Sequence, residues 1–186
     1  MTAAGVGRTL FRWRGWIPLP GLVLLVVVAR PGAASLAAGG VLALLGEALR
    51  LWAVRHVGPG SRTRGDDVGT LARGGPYRWS RNPLYVGNLL IWSGLATTAA
   101  APIGLAVPLL LALHYRLVIA WEEERLRVVH PVAYAMWSAQ VPRWIALWPR
   151  APRVPPSWTR LRALRSERAT LAAVTAAYAL VAWRSC

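Results

Sequence analysis

Two segments of the sequence bring together residue types that can hold a small charged ligand. Residues 69–87 read GTLARGGPYRWSRNPLYVG, and the second segment, residues 122–144, starts with Glu122, Glu123 and Glu124. Three adjacent carboxylates at the foot of an apolar helix are costly to gather without a cation to face. They fan through about 200° on a helix, so at most two can point into one pocket. The pattern fits a cation-facing site and fits a solvated run of charges equally well.

The first segment combines a tight turn with the start of a helix. The Gly-Gly-Pro run at residues 74–76 forces a turn, because glycine supplies positive φ and proline fixes its own. Pro83 suits a first helical turn, with Asn82 as the N-cap. The N–H groups of such a helix start can bind an anion. Tyr77, Trp79 and Tyr85 add aromatic faces, although a capped helix with interfacial aromatics would look the same.

Several common catalytic motifs are missing from the sequence. It contains no G-x-G-x-x-G after a strand, no P-loop, no H-E-x-x-H and no G-x-S-x-G. The three histidines, His56, His114 and His130, are too scattered to indicate a metal site. Hydrolytic, ATP-driven and zinc chemistry therefore have no support in the sequence, and we expect no metal.

The elements that must position these residues are indicated by the composition. Of the 186 residues 55% are hydrophobic and only 16% are charged, with a mean hydropathy of +0.39. A soluble domain carries about a quarter charged residues. The apolar residues also cluster in runs, which excludes an ordinary soluble globule and a disordered chain. The composition indicates an integral membrane protein.

Five apolar runs predict an all-α, polytopic membrane helical bundle of about five transmembrane helices. They cover residues 17–29, 36–54, 84–101, 103–121 and 169–183. The last run is alanine-rich and short for the roughly 20 residues that a spanning helix needs. Pro131 must break the fourth helix, and a cytoplasmic amphipathic helix should follow it. Its apolar side chains would be Val132, Tyr134, Met136 and Trp137.

The charges orient this bundle. All 22 basic residues are arginines against seven acidic residues, which gives a net charge of +15. Such a charge would suggest nucleic-acid binding in a soluble protein. Here eighteen arginines fall on one side of the alternating spans, so we expect the N-terminus and both long loops in the cytoplasm and no nucleic-acid partner. The single cysteine, Cys186, excludes an intramolecular disulfide.

Two arginines remain inside predicted spans. Arg50 follows Glu47 by three positions, so the two side chains share a helix face and can neutralise each other. Arg116 lies two positions after His114, near the predicted cytoplasmic end of its span. A polar line from His114 and Arg116 to the three glutamates suggests a pocket that opens to the cytosol. Snorkelling of Arg116 to the headgroups is the alternative.

Taken together, the motifs resemble a known family. The order G-P-Y-x-x-x-R-N-P-x-Y-x-G, a helical hairpin, E-E-x-x-L and Y-x-x-W-x-x-x-V-P-R spans residues 70–144. It resembles the isoprenylcysteine carboxyl methyltransferases, and the related phospholipid N-methyltransferases share much of the pattern. These are small multi-span membrane enzymes that use S-adenosylmethionine. The resemblance therefore implies a methyltransferase acting on a lipophilic acceptor.

The resemblance also implies which residues form the site. The glutamate that contacts the methionine part of the cofactor maps onto Glu122, with Glu123 beside it as a candidate catalytic residue. The acceptor-positioning arginine of the family maps onto Val118, and Arg116 is the closest substitute. The other positions that would hold S-adenosylmethionine are Gly69, Thr70, Leu71, Ala72, Tyr77, Asn82, Pro83, Leu84 and Tyr85.

We expect three units along the chain. Residues 1–55 would form a transmembrane hairpin, residues 56–150 the catalytic membrane domain, and residues 151–186 a basic linker with a last transmembrane helix. The location would be the cytoplasmic membrane of a bacterium, with the active site facing the cytoplasm. The acceptor stays open among an isoprenoid carboxylate, a lipid amine, a thiol and a phenol.

Two other functions compete with this interpretation. NADPH-dependent sterol-type reductases carry a comparable C-terminal pattern, but this chain is short for them and shows no basic cluster for a 2′-phosphate. A non-enzymatic small membrane protein would use the same motifs only as helix caps and interface anchors.

Overall fold

The computed structural model describes residues 9–58 and 71–184. Beside a helical turn at residues 9–13, these residues form six α-helices and two 3₁₀ turns, and no strand occurs among them. The all-α class is therefore confirmed. We name the helices α1 (Leu19–Val28), α2 (Ala33–Val57), α3 (Pro83–Ala99), α4 (Ala106–Val129), α5 (Pro131–Ser138) and α6 (Arg160–Trp183); the 3₁₀ turns are Gly75–Arg78 and Pro102–Leu105.

Helices α2 and α3 form the most extensive helix pair of the described chain. Glycines make this close approach possible. A Cβ atom on Gly46 would lie 2.6 Å from the carbonyl oxygen of Gly87, and one on Gly94 would lie 2.6 Å from that of Gly39. Backbones of apolar helices pack this closely where small residues face each other. The pairing fixes the register of α2 against α3.

The side chains at the start of α3 connect two hydrophobic cores. Tyr85 packs in the first core, which joins α1, α3, α4 and α6. The neighbouring Leu84 packs against the second core, which lies among the end of α2, the first 3₁₀ turn and α5. The second core consists of Ala53, Tyr77, Tyr134, Trp137, Val141 and Ala151. The polar side chains of the candidate site lie where the two cores adjoin.

Two helical segments of the described chain are long and apolar enough to cross a membrane: Ala33–Val57 and Pro102–Val129. The outer face of α4 exposes Leu109, Leu110, Leu113 and Leu117. The other predicted spans are also helical, but α1 has 10 residues and α3 has 17. Helix α6 begins at Arg160, well before the last predicted span, which starts at residue 169. The helix begins there because Thr159 is its N-cap and accepts a hydrogen bond from the Arg162 N–H.

Helix α5 occupies the place predicted for the amphipathic helix, but its apolar side chains divide between two faces. Tyr134 and Trp137 are buried in the second core, whereas Val132 and Met136 are exposed. The division follows from the 100° step between helical residues, which puts positions 134 and 137 on one face and 132 and 136 on another. The amphipathic character predicted for this helix is therefore not confirmed, and the buried pair Tyr134 and Trp137 anchors α5 to the bundle.

Candidate active site

The two motif segments meet at Tyr85 and Glu122. Tyr85 lies in the first turn of α3, and Glu122 lies in the last two turns of α4. The Tyr85 hydroxyl donates a hydrogen bond to Glu122 Oε1 at 3.0 Å. The expectation that these segments lie together thus holds in the structure.

Aromatic side chains surround this hydrogen bond. The ring of Tyr115 packs against the ring of Tyr85, with 4.9 Å between the centroids and 50° between the planes. Tyr77 lies in the first 3₁₀ turn and is buried in the second core. Burial and then the Glu122 carboxylate raise its pKa above the usual value. Electron-rich ring faces beside a carboxylate suit an organic cation.

The N-terminal segment covers one side of the pair. The Phe11 ring lies 4.7 Å from the Trp121 ring, and the Arg14 guanidinium lies 3.7 Å above Phe11. Arg14 thus lies against the first core, which contains Phe11, Trp121 and Tyr85. Sequence reasoning missed this residue because the arginines before the first span were used only to orient the chain.

Glu123 has a different environment from Glu122. Its side chain is 2% exposed and lies 2.6 Å from Arg143 Nη2, 3.2 Å from Arg81 Nη1 and 3.9 Å from Arg127 Nη2. Hydrogen bonding to Glu123 raises the pKa of Arg143. Successive helix residues point about 100° apart, so Glu123 cannot face the same space as Glu122. Glu123, the predicted catalytic residue, contacts three arginines of the surrounding loops and helix.

The third glutamate completes this pattern. Glu124 is exposed and lies 3.0 Å from Arg127. Three consecutive carboxylates therefore meet three different environments, as their angular spread predicts. Only Glu122 lies among the aromatic side chains.

Arg116 does not lie beside Tyr85 and Glu122. It is exposed on α4, whereas His114 and Tyr115 are buried. Residues two positions apart on a helix point about 200° apart, so the predicted polar line of His114 and Arg116 was wrong. Val118, at the position of the family's arginine, is fully buried in the first core.

Asn82 connects the start of α3 to the V-P-R motif. It is the N-cap residue by position, but its side chain makes no capping hydrogen bond. Instead its Nδ2 donates to the carbonyl oxygen of Arg143 at 3.1 Å, while Ser80 Oγ accepts from its backbone N–H at 3.0 Å. Asn82 therefore takes the predicted N-cap position, but its side chain makes a long-range hydrogen bond and no capping one. Pro83 follows as the first helical residue and is buried.

The remaining predicted cofactor residues lie around Tyr77. Leu71, Ala72 and Leu84 pack against the second core that contains it. Gly69 and Thr70 lie outside the described residues, so their assignment stays a prediction.

Two cavities occur in the described part of the chain, and neither is lined by Tyr85 or Glu122. The first, of about 250 Å³, lies between α2 and the start of α3. Its lining is almost entirely apolar and includes Trp52, Trp79, Pro83 and Val86. The second, of about 410 Å³, is lined by residues 138–150, which follow α5.

The expected Glu47 and Arg50 pair is present, with 4.0 Å between Arg50 Nε and Glu47 Oε2. A closer partner is Glu167 of α6, whose Oε2 lies 2.5 Å from Arg50 Nη2. Sequence reasoning missed Glu167, although it is the single acidic residue after Glu124. A lone acid among many arginines was the available signal.

The comparisons with known proteins agree with the geometry. A family model described as phospholipid methyltransferase matches residues 34–130, which are 97 of the 186 residues. The matched range contains Tyr85 and Glu122 and nearly all of α2, α3 and α4. No match was found among curated proteins or among solved structures.

Proposed function

Because the chain belongs to the phospholipid methyltransferase family, we propose that it is an integral membrane enzyme that transfers a methyl group from S-adenosylmethionine to a lipophilic acceptor. The observation that carries this proposal is the hydrogen bond from Tyr85 to Glu122. It joins the two motif segments whose residue types suit the cofactor.

The donor groups around Glu122 match the chemistry of S-adenosylmethionine. A carboxylate has room for several donors, so Glu122 can keep the Tyr85 hydrogen bond and accept another from the cofactor's ammonium. The rings of Tyr77, Tyr85 and Tyr115 suit a sulfonium or an adenine. Arg14, which lies over the Phe11 ring, suits the cofactor's carboxylate. When bound, S-adenosylmethionine supplies the electrophilic methyl group.

The chain's own contribution is orientation and exclusion of water. Methyl transfer needs a nucleophile held in line with the methyl group, and positioning supplies most of the rate. Tyr85 and Tyr115 lie against each other in the first core, away from bulk solvent. Phe11 of the N-terminal segment packs against Trp121 of α4 and closes the same region.

The apolar cavity of about 250 Å³ supports a lipophilic acceptor. Pro83 and Val86 line it, and Tyr85 lies between them in the first turn of α3. A hydrocarbon chain in this cavity would lie against the first turn of α3, on the face of Pro83 and Val86, which is a different face from that of Tyr85. We propose that the acceptor approaches from this side.

The proposal includes the arrangement in the membrane. The five helical spans would place the N-terminus and both arginine-rich loops in the cytoplasm, as the arginine distribution predicts. Glu122 lies in the last two turns of α4, next to the second of these loops. S-adenosylmethionine would therefore enter from the aqueous cytoplasmic side of a bacterial membrane.

Isothermal titration calorimetry of the detergent-solubilised protein tests the proposal. We expect S-adenosylmethionine binding that weakens at least about tenfold in Glu122→Ala, because a charge-assisted hydrogen bond is lost. Glu124→Ala is the matched control, since Glu124 is exposed on the same helix. Undiminished binding by Glu122→Ala, or no binding by the wild type, would contradict the proposal.

A further inference from the structure

The two arginine-rich loops are joined by backbone hydrogen bonds. The Ala146 N–H donates to the Trp79 carbonyl oxygen at 2.7 Å, and the Arg150 N–H donates to the Arg78 carbonyl oxygen at 2.7 Å. We call residues 145–150, which contain both donors, the tip loop. Because Trp79 lies four positions before the start of α3, these bonds fix the tip loop at that end of the helix. In the membrane arrangement proposed above, this is the cytoplasmic end.

The tip loop exposes large apolar side chains although its backbone is held in place. Leu147 is 88% exposed and Trp148 is 70% exposed, and Ile145 is exposed as well. Apolar side chains that a fixed backbone holds out to the surroundings mark an interaction surface. Tryptophan and aliphatic side chains of this kind are typical of segments that dip into a membrane interface. The tip loop is thus suited to contact the bilayer beside α3.

A cavity of about 410 Å³ opens next to these side chains. Ile145 and Leu147 form part of its apolar lining, and Ser138, Gln140 and Arg150 contribute polar side chains. No acidic side chain is among the described residues that line it. A hydroxyl, an amide and a guanidinium can all donate hydrogen bonds, and a guanidinium pairs especially well with phosphate. The lining therefore combines donors for an anion with an apolar side for hydrocarbon.

The charge of this region favours an anionic ligand. Residues 125–166 contain eight arginines and no acidic residue. The side chain of Arg143 is paired with Glu123. The side chain of Arg150, by contrast, is exposed and makes no hydrogen bond or ion pair within the described part of the chain. Arginines at the cytoplasmic end of a span attract anionic lipid headgroups, so Arg150 is the group available for one.

We propose that this cavity binds the phosphate headgroup of an anionic phospholipid. Arg150 supplies the charge, the Ser138 hydroxyl and the Gln140 amide supply further donors, and the apolar side chains of the tip loop contact the acyl chains. The site is separate from the proposed methyl-transfer site, because neither Tyr85 nor Glu122 lines the cavity. The inference rests on the proposed membrane arrangement and is independent of methyl transfer. A bound lipid would hold both arginine-rich loops at the membrane surface.

Native mass spectrometry of the detergent-purified protein tests the charge of this site with added phosphatidylglycerol. We expect the wild type to bind phosphatidylglycerol more tightly than phosphatidylcholine, whose headgroup has no net charge. Arg150→Gln should raise the dissociation constant of phosphatidylglycerol at least about tenfold, because a charge-assisted hydrogen bond is lost. Arg30→Gln is the matched control, since Arg30 is also exposed but belongs to the opposite side of the proposed arrangement. It should stay within about twofold of the wild type.

A second pair of variants tests the apolar side of the site. Leu147→Ser should weaken phosphatidylglycerol binding about three- to tenfold, because the acyl chains lose an apolar contact. Val132→Ser is the control, since Val132 is similarly exposed on α5 but does not line the cavity. Because both side chains are exposed, the thermal unfolding midpoints of the two variants should match that of the wild type.

Four outcomes would overturn the inference. Phosphatidylglycerol binding that is equal in Arg150→Gln and the wild type would exclude Arg150 as the headgroup ligand, and equally tight binding of phosphatidylcholine would exclude recognition of charge. Displacement of the lipid by an equal concentration of inorganic phosphate would identify a free anion as the ligand. A dimer that Leu147→Ser dissociates would assign the tip loop to a second copy of the chain.

The inference and the proposed function can fail separately. A wild type that binds phosphatidylglycerol through Arg150 but does not bind S-adenosylmethionine would support the lipid site and contradict the proposed function alone.

Discussion

The hydroxyl of Tyr85 donates to Glu122 Oε1 across 3.0 Å, which ties the first turn of α3 to the last part of α4. The two residues are 37 positions apart, with the second hairpin of the bundle between them. The contact explains why the sequence needs both motifs. Each supplies one half of a small polar site enclosed by aromatic rings.

Two substitutions of Tyr85 distinguish the contribution of its hydrogen bond from the contribution of its aromatic ring. Tyr85→Phe should weaken S-adenosylmethionine binding by about three- to tenfold, because one hydrogen bond to a charged group is lost. Tyr85→Ala should weaken it further, since the ring packed against Tyr115 also disappears. Titration calorimetry of the two variants measures the difference, and equal affinities would show that the ring has no role.

Glu123 should matter for stability more than for the cofactor. Glu123→Gln leaves Arg81 and Arg143 beside a buried neutral amide, which should destabilise the protein by about 3–5 kcal/mol. Glu124→Gln should change stability by less than about 1 kcal/mol, because that ion pair is exposed. Denaturant unfolding in detergent measures both. Unchanged stability of Glu123→Gln would refute its role as the holder of the arginines.

Exposed Arg116 should be dispensable for the cofactor. Arg116→Ala should bind S-adenosylmethionine as the wild type does, because its side chain lies on the outer face of α4. Calorimetry checks the affinity, and a labelled-methyl assay checks the acceptor side. A tenfold loss of cofactor affinity or of methyl transfer would show that Arg116 does take part in the site.

The glycine contact between α2 and α3 should not tolerate a methyl group. A Cβ on Gly46 would lie 2.6 Å from the Gly87 carbonyl oxygen and 2.9 Å from the Ile91 nitrogen, which are both backbone atoms. Gly46→Ala should therefore cost about 1–3 kcal/mol of stability. Gly15→Ala is the control, since nothing lies within 4 Å of its Cβ. Similar unfolding midpoints for the two variants would contradict the close packing.

Alkaline pH should destabilise the protein through Tyr77. Burial and the Glu122 carboxylate raise its pKa above the usual 10.0, so the folded state keeps a proton that the unfolded state loses. Its contribution is fully present below about pH 10 and falls as the pH rises above that value. The unfolding midpoint should fall less steeply above pH 10 in Tyr77→Phe than in the wild type. Identical slopes would exclude this linkage.

The sequence predicted those features that depend on local pattern. Apolar runs located the helices. The 100° step between helical residues predicted that the three glutamate side chains would point in different directions. The prediction failed where a distant group decided the outcome. Asn82 keeps the N-cap position, but its side chain donates to the Arg143 carbonyl oxygen, and Glu167 binds Arg50 across 117 positions. Such pairings follow from helix packing, which a single sequence does not reveal.

Transfer of labelled methyl groups tests the central claim most directly. Membranes that contain the protein would be incubated with methyl-labelled S-adenosylmethionine, and labelled products would be extracted and identified by mass spectrometry. We expect label in a lipophilic product with the wild type and with Glu124→Ala, and none above background with Glu122→Ala. Equal labelling by Glu122→Ala, or no labelled lipophilic product with the wild type, would contradict the account.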